Sequence, residues 1–144
     1  MQHEQSSSAI AVQRRFREVN LHDARLISIS IEPFGTADSA TVRLGLRDPD
    51  SRDMNGRVGE LSFMDCTWLS ANVDFWNKRR NGDAIALGLV TFDAKRAEAI
   101  YDHDASRARF QPISEFLFFK VALCSIGEIE LLARDFALSW STTP

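Results

Sequence analysis

Residues 114–140, SEFLFFKVALCSIGEIELLARDFALSW, constrain this chain more than any other stretch. From Phe116 to Leu123 nearly every side chain is apolar, with Phe116, Phe118 and Ala122 on one parity and Leu117, Phe119, Val121 and Leu123 on the other. A strand sends alternate residues to opposite faces, so this one needs cover on both, Lys120 apart. It reads as a central strand. Ser125, Ile126 and Gly127 supply a turn, and a return strand follows to form a hairpin. In that return strand Ile129, Leu131 and Ala133 share a parity, whereas Phe136, Leu138 and Trp140 take the other. Both sets reach one core only if an extra residue is absorbed near Arg134 and Asp135, which predicts a bulge or bend there. The alternative is a strand apolar on both faces, with Leu132 opposite.

At 144 residues the chain fits a single domain spanning 1–144, long enough to bury a sizeable core. No apolar run approaches the roughly 20 residues that cross a bilayer. Met1 to Phe16 lacks the apolar centre of a secretory signal, and the expectation is a cytoplasmic protein with no membrane partner. A formal net charge of −3 speaks against a general nucleic-acid binder, whose affinity comes largely from neutralising phosphates. Cys66 and Cys124 stand far apart in apolar segments and read as buried thiols.

Residues 1–8 are polar and serine-rich and read as a disordered or weakly held tail. Ala9 to Arg17 suits a short helix touching the body through Ile10 and Phe16. Leu26 to Pro33 alternates Ile27, Ile29 and Ile31 with Ser28, Ser30 and Glu32, the pattern of a half-buried strand with the isoleucines inward. Thr41 to Asp48 alternates again, with Val42, Leu44 and Leu46 against Arg43 and Arg47, and should pair antiparallel with the first strand. Asp48-Pro49 and Asn55-Gly56 mark a polar loop. Arg57 to Leu69 holds a third strand around Val58, Leu61 and Phe63. Ser70 to Gly82 suggests one or two helical turns capped by Ser70 or Asn72. Ala84 to Phe92 is a fourth strand, with Ile85, Leu87 and Leu89 on one parity. Residues 93–112 suit a short helix capped by Asp93, with a hairpin turning at His103-Asp104 as the alternative. No internal repeat is visible. Together these elements predict an all-β fold, an antiparallel β-sandwich or partly open barrel with one or two short helices, with a meander as the simplest topology.

Chemistry-bearing motifs are sparse. The chain has no glycine-rich phosphate loop, no Gly-x-Ser-x-Gly and no His-Glu-x-x-His, so no catalytic residue and no cofactor is assigned. His22 and Asp23, with His103 and Asp104, are the metal candidates, since two His-Asp clusters meeting in space could hold a divalent ion for a hydrolase. Adjacent residues on a strand point apart, however, and His22 and Asp23 equally suit capping of the first strand. Asp65 reads as a turn residue or a buried, hydrogen-bonded carboxylate. A nucleophilic Cys66 would need a thiolate-favouring neighbour such as His22 or His103. The binding candidates are Trp68, Phe75 and Trp76 around Lys78, Arg79 and Arg80, because aromatic and arginine side chains dominate protein-binding hot spots.

Four stretches in order, LHDARLISISIE at 21–32, TVRLGL at 41–46, LSFMDC at 61–66 and FKVALCSIGEIELLARDF at 119–136, resemble small bacterial all-β proteins. Some of these are similar to immunity proteins of toxin systems. The resemblance covers most of the body and implies a domain that binds a cognate protein without catalysis. The expectation is therefore a non-enzymatic binding domain with a protein partner, possible homodimerisation included. A small apolar-ligand carrier lined by phenylalanines and the metal-dependent hydrolase are the alternatives.

Overall fold

A computed structural model describes residues 7–19, 21, 24–33, 40–48, 57–73, 83–91, 115–124 and 127–142. In chain order these form α1 (Ser7–Arg17), β1 (Arg25–Pro33), β2 (Ala40–Asp48), β3 (Arg57–Cys66), β4 (Trp68–Val73), β5 (Asp83–Thr91), β6 (Leu117–Leu123), β7 (Gly127–Ala133) and β8 (Asp135–Thr142). Every pairing among them is antiparallel. One sheet runs β1-β2-β3-β8 and the other β5-β6-β7-β4. The two meet edge to edge only at Arg25–Ala84 and Leu26–Asp83, too short a seam to make them one surface. They are not closed into a barrel, and the fold is the expected all-β sandwich.

The two halves of the chain repeat one plan that is hidden in the residue string. Each is a three-strand meander, β1-β2-β3 or β5-β6-β7, whose last strand runs on into a fourth that joins the other sheet. β4 pairs with β7, and β8 pairs with β3. The first strand of each half carries a register shift at the matching place, between Leu26 and Ser28 in one and between Ile85 and Leu87 in the other. Ion pairs also match: Arg43 reaches Glu60 at 3.3 Å and Lys120 reaches Glu128 at 2.9 Å, each linking the second strand to the third. Only a short motif, Gly59-Glu60-Leu61 against Gly127-Glu128-Ile129, betrays the repeat in sequence. A repeat held by backbone pairing tolerates divergence of almost every side chain.

The exchange requires both ribbons to bend at one level. Asp65 adopts φ of 53°, a left-handed conformation that aspartate tolerates, and the backbone N–H of Thr67 then donates to the Leu132 carbonyl at 3.0 Å. On the partner ribbon Arg134 forms the predicted bend, its N–H donating to the Met64 carbonyl at 3.2 Å. The bend brings Phe136 to the side already occupied by Leu131 and Ala133, and all three are buried in one core. Leu132 faces away, fully buried with Phe116 and Phe118 in a second, smaller cluster. β6 is accordingly central and covered on both faces, as its composition requires.

The main core lies between the sheets, with Val42, Leu44, Leu46, Leu61 and Phe63 from one and Phe119, Val121, Ile129 and Leu131 from the other. α1 is only 11 residues long, too short to persist alone in water, and is held by tertiary burial. Ala9, Val12 and Phe16 form its buried seam, while Ile10, expected to touch the body, is 42% exposed on another face. Phe16 enters between the sheets, its ring centroid 4.9 Å from Phe136, 5.0 Å from Phe119 and 6.4 Å from Phe63. Arg15 locks the helix end by donating to the Asp135 carboxylate and to the Phe136 carbonyl, both at 3.0 Å.

Several sequence expectations change. Ser70–Val73 belongs to β4 and not to a helix, because β7 supplies a backbone partner from Trp68–Leu132 through Val73–Gly127. The third strand is interrupted at Thr67 and resumes in the other sheet. The topology is two meanders with exchanged fourth strands, since the bends send each ribbon across the sandwich. The shift in β5 leaves Leu89 47% exposed opposite Lys120 and buries Val90 instead. Ser7 and Ser8 start α1 and so do not belong to the polar tail. The remainder of the proposed helix at 74–82, and the segment 93–112, lie outside the described residues.

Candidate binding surface

The surface that stands out is β1. Its side chains at Ile27, Ile29 and Ile31 are 47%, 40% and 54% exposed, contrary to the expectation that they face the core. The strand is in place: Ile29 lies opposite Leu44 and Ile31 opposite Val42, both of them buried residues on the core-facing side of β2. What is missing is cover. β5 accompanies β1 only as far as Leu26, and among the described residues no strand pairs with the rest of β1 on that side. Past Leu26 the isoleucines continue the core-facing row of β2 with no strand paired on their other side among the described residues. Ile27, at the register shift, lies beside Gly45 with Ser28. Pro33 within the strand was the available signal, because a proline in a strand marks an edge.

The corresponding stretch of β5 is treated differently. The Ile85 N–H donates to the Ala24 carbonyl at 2.8 Å, and Leu21 and Phe16 pack against Gly88. Ala24 thus takes one position on the edge of β5, and Phe16 and Leu21 cover its core face. The free edge of β1 receives no such element among the described residues.

Of the aromatic and basic group expected to bind a partner, Trp68 is described and is half-buried on the outer face of β4. Its ring meets Phe118 edge-on at 6.1 Å and helps to cover Leu132. Beside this cluster Arg134 stacks on Phe116 at 4.9 Å and pairs with Glu115 at 2.9 Å. Phe75, Trp76, Lys78, Arg79 and Arg80 lie outside the described residues, as do His22, Asp23, His103 and Asp104. Among the described residues no group of His, Cys, Asp and Glu is arranged to hold a metal.

Cys66 is buried and donates its thiol to the Trp68 carbonyl at 3.2 Å. Burial pushes its pKa up to about 11, the opposite of what a nucleophile needs. Cys124 corrects the expectation of two buried thiols: it is exposed where β6 enters the turn to β7. Asp65 is an exposed bend residue. A shallow depression of about 260 Å³ on the outer face of β3 and β8 is lined by Val58, Gly59, Glu60, Ser139 and Ser141. Its one carboxylate, Glu60, is already engaged by Arg43 and Ser62. The phenylalanines that an apolar-ligand carrier would use pack against one another through Phe16.

The fold defines an antiparallel β-sandwich in which, among the described residues, one edge of β1 is left without a partner beyond Leu26. No family model matches the chain, and neither does any curated protein or solved structure. Among the described residues no helix is long and apolar enough to cross a membrane.

Proposed function

We propose that the chain is a non-enzymatic protein-binding domain that docks its partner along β1. The carrying observation is the triplet Ile27, Ile29 and Ile31, each 40–54% exposed on one strand whose edge beyond Leu26 has no partner among the described residues. Apolar residues clustered at a surface commonly mark an interaction site, and a free strand edge adds a row of backbone donors and acceptors. An extended segment laid against it would gain hydrogen bonds from that row and cover for the isoleucines. The immunity-protein resemblance of residues 21–32 falls on this same strand, and an immunity protein works by covering its toxin. On this reading Trp68, half-buried on the outer face of β4, offers a second, aromatic contact.

The test is retention of a co-purifying protein by the tagged full chain and its variants in the cell that expresses it. Ile29→Lys/Ile31→Lys should release the partner, while Leu89→Lys, an equally exposed apolar position on the other sheet, should keep it. Equal retention by both variants would remove β1 from the interface, and a wild-type chain that retains neither another protein nor an untagged copy of itself would sink the reading.

A further inference from the structure

We infer that β1 pairs antiparallel with β1 of a second copy of this chain, in a register centred on Ser30. The inference rests on the protein-binding reading and specifies the partner. Among the described residues the part of the strand without a partner on this side is Ile27-Ser28-Ile29-Ser30-Ile31-Glu32-Pro33, and reversing it about Ser30 keeps every one of these residues opposite another, whereas a centre at Ile29 would set Glu32 and Pro33 against Leu26 and Arg25, which β5 already pairs. Reversed against itself at Ser30, it sets Ile29 opposite the second copy's Ile31 and Ser28 opposite the second copy's Glu32.

The neighbours on β2 extend this match. Ile29 already lies beside Leu44, and Ile31 beside Val42. The joined sheets would therefore carry two unbroken apolar rows across four strands, each running from Leu44 of one copy to Val42 of the other. Residues directly opposite in an antiparallel pair share a face, so these contacts come together. A register one residue away would set isoleucines against serines and lose them.

Charges fit the same register. Arg43 holds Glu32 of its own chain at 3.2 Å and Glu60 at 3.3 Å, so neither Arg43 nor Glu32 arrives uncompensated. The Arg43 side chains of the two copies would stand three strand spacings apart, about 14 Å, beyond the screening length of about 8–10 Å at ordinary ionic strength. Glu32 would meet a serine hydroxyl, and no like charges would face each other. The outer edges offer less: Ser70, Ala71 and Asn72 of β4, and Ala137 and Ser139 of β8, expose small or polar side chains.

The contact is small. Six partly exposed isoleucines and one strand edge fall short of the roughly 1,200 Å² of a standard interface, so the monomer–dimer midpoint should lie between about 1 µM and about 1 mM. Sedimentation velocity from about 10 µM to about 1 mM should show mass rising toward two chains. Ile29→Lys/Ile31→Lys should weaken the association at least about tenfold while lowering the thermal midpoint only modestly and leaving a single cooperative transition, because both side chains are about half exposed and a lysine stem can lie along the surface.

Cross-linking tests the register. In a Cys124→Ser background, Ser30→Cys places two thiols on the symmetry axis, with Cα atoms about 4.5–5.5 Å apart, inside the disulfide range of about 4.4–6.8 Å. It should form a disulfide-linked dimer under mild oxidation at least about tenfold faster than Ser139→Cys, an exposed position on β8 that reports random collision. A chain that stays monomeric throughout, with the two cysteine variants cross-linking equally, overturns self-pairing but leaves partner retention as a separate result. A dimer that forms without preference for Ser30→Cys, or survives the double lysine change, overturns the β1 interface.

Discussion

β1 and β2 are neighbouring strands with the same alternating pattern and opposite fates. In β2, Val42, Leu44 and Leu46 are at most 1% exposed, whereas in β1 Ile27, Ile29 and Ile31 are 40–54% exposed. The pairs Ile29–Leu44 and Ile31–Val42 show that the difference is not one of register or face. It is one of position. β2 has strands on both sides and a sheet opposite, while among the described residues β1 loses its neighbour on one side after Leu26. Alternation reports that two faces differ in polarity, and cover must come from elsewhere in the fold.

The largest effect expected from this contrast is in the core. Leu44→Ala should cost about 2–5 kcal/mol, the range for truncating a fully buried leucine, read from the denaturant midpoint. A value near that of Ile29→Ala would abolish the distinction between the strands. Phe16→Ala should cost about 3–5 kcal/mol, since one ring closes the space between Phe63, Phe119 and Phe136. That number measures what α1 contributes on the covered side of the seam, where β5 lies.

The cysteines allow a sharper, chemical comparison. At about pH 8, Cys124 should react with a thiol reagent in the folded chain and Cys66 only after unfolding. Burial raises the Cys66 pKa from 9.0 to about 11, so the folded state retains a proton that the unfolded state gives up. Its effect on stability is absent below about pH 9 and grows unfavourable as pH rises toward 11, reaching about 2–3 kcal/mol relative to a Cys66→Ala variant. Equal slopes for the two proteins would show that the thiol is not desolvated.

Smaller effects follow at the surface. Ile29→Ala should cost about 1–2 kcal/mol, less than Leu44→Ala, because 40% of the residue stays exposed. A larger loss would mean that β1 is covered in solution. Arg15→Ala should lose about 1 kcal/mol or less, because its partner Asp135 is partly exposed and the pair is screened, although the bond to the Phe136 carbonyl goes with it.

Much of the architecture was legible because its signals are local. A strand apolar on both parities, Phe116 to Leu123, had to be interior, and the parity change across Arg134 pointed to the bend, while the alternative of a return strand apolar on both faces is met in part by Leu132, buried on the opposite side. β4 was misread because nothing within Ser70–Val73 announces a partner about sixty residues away on β7. The candidate surface was missed for a related reason: Ile27, Ile29 and Ile31 look like core until the edge they occupy is known. Of the residues first singled out for binding, Trp68 is the one within the described residues, and it belongs to a small packed cluster on the outer face.

Residue pattern alone determined that the chain makes antiparallel strands, which of them lie deepest and where the C-terminal ribbon must bend. Those properties depend on neighbours a few positions apart and on the alternation of faces. Only the tertiary structure decided that each half sends its fourth strand to the other, that Phe16 fills the space between sheets and that, among the described residues, β1 ends without a second neighbour. These depend on which distant segments arrive beside each strand, a matter settled by the packing of the whole chain.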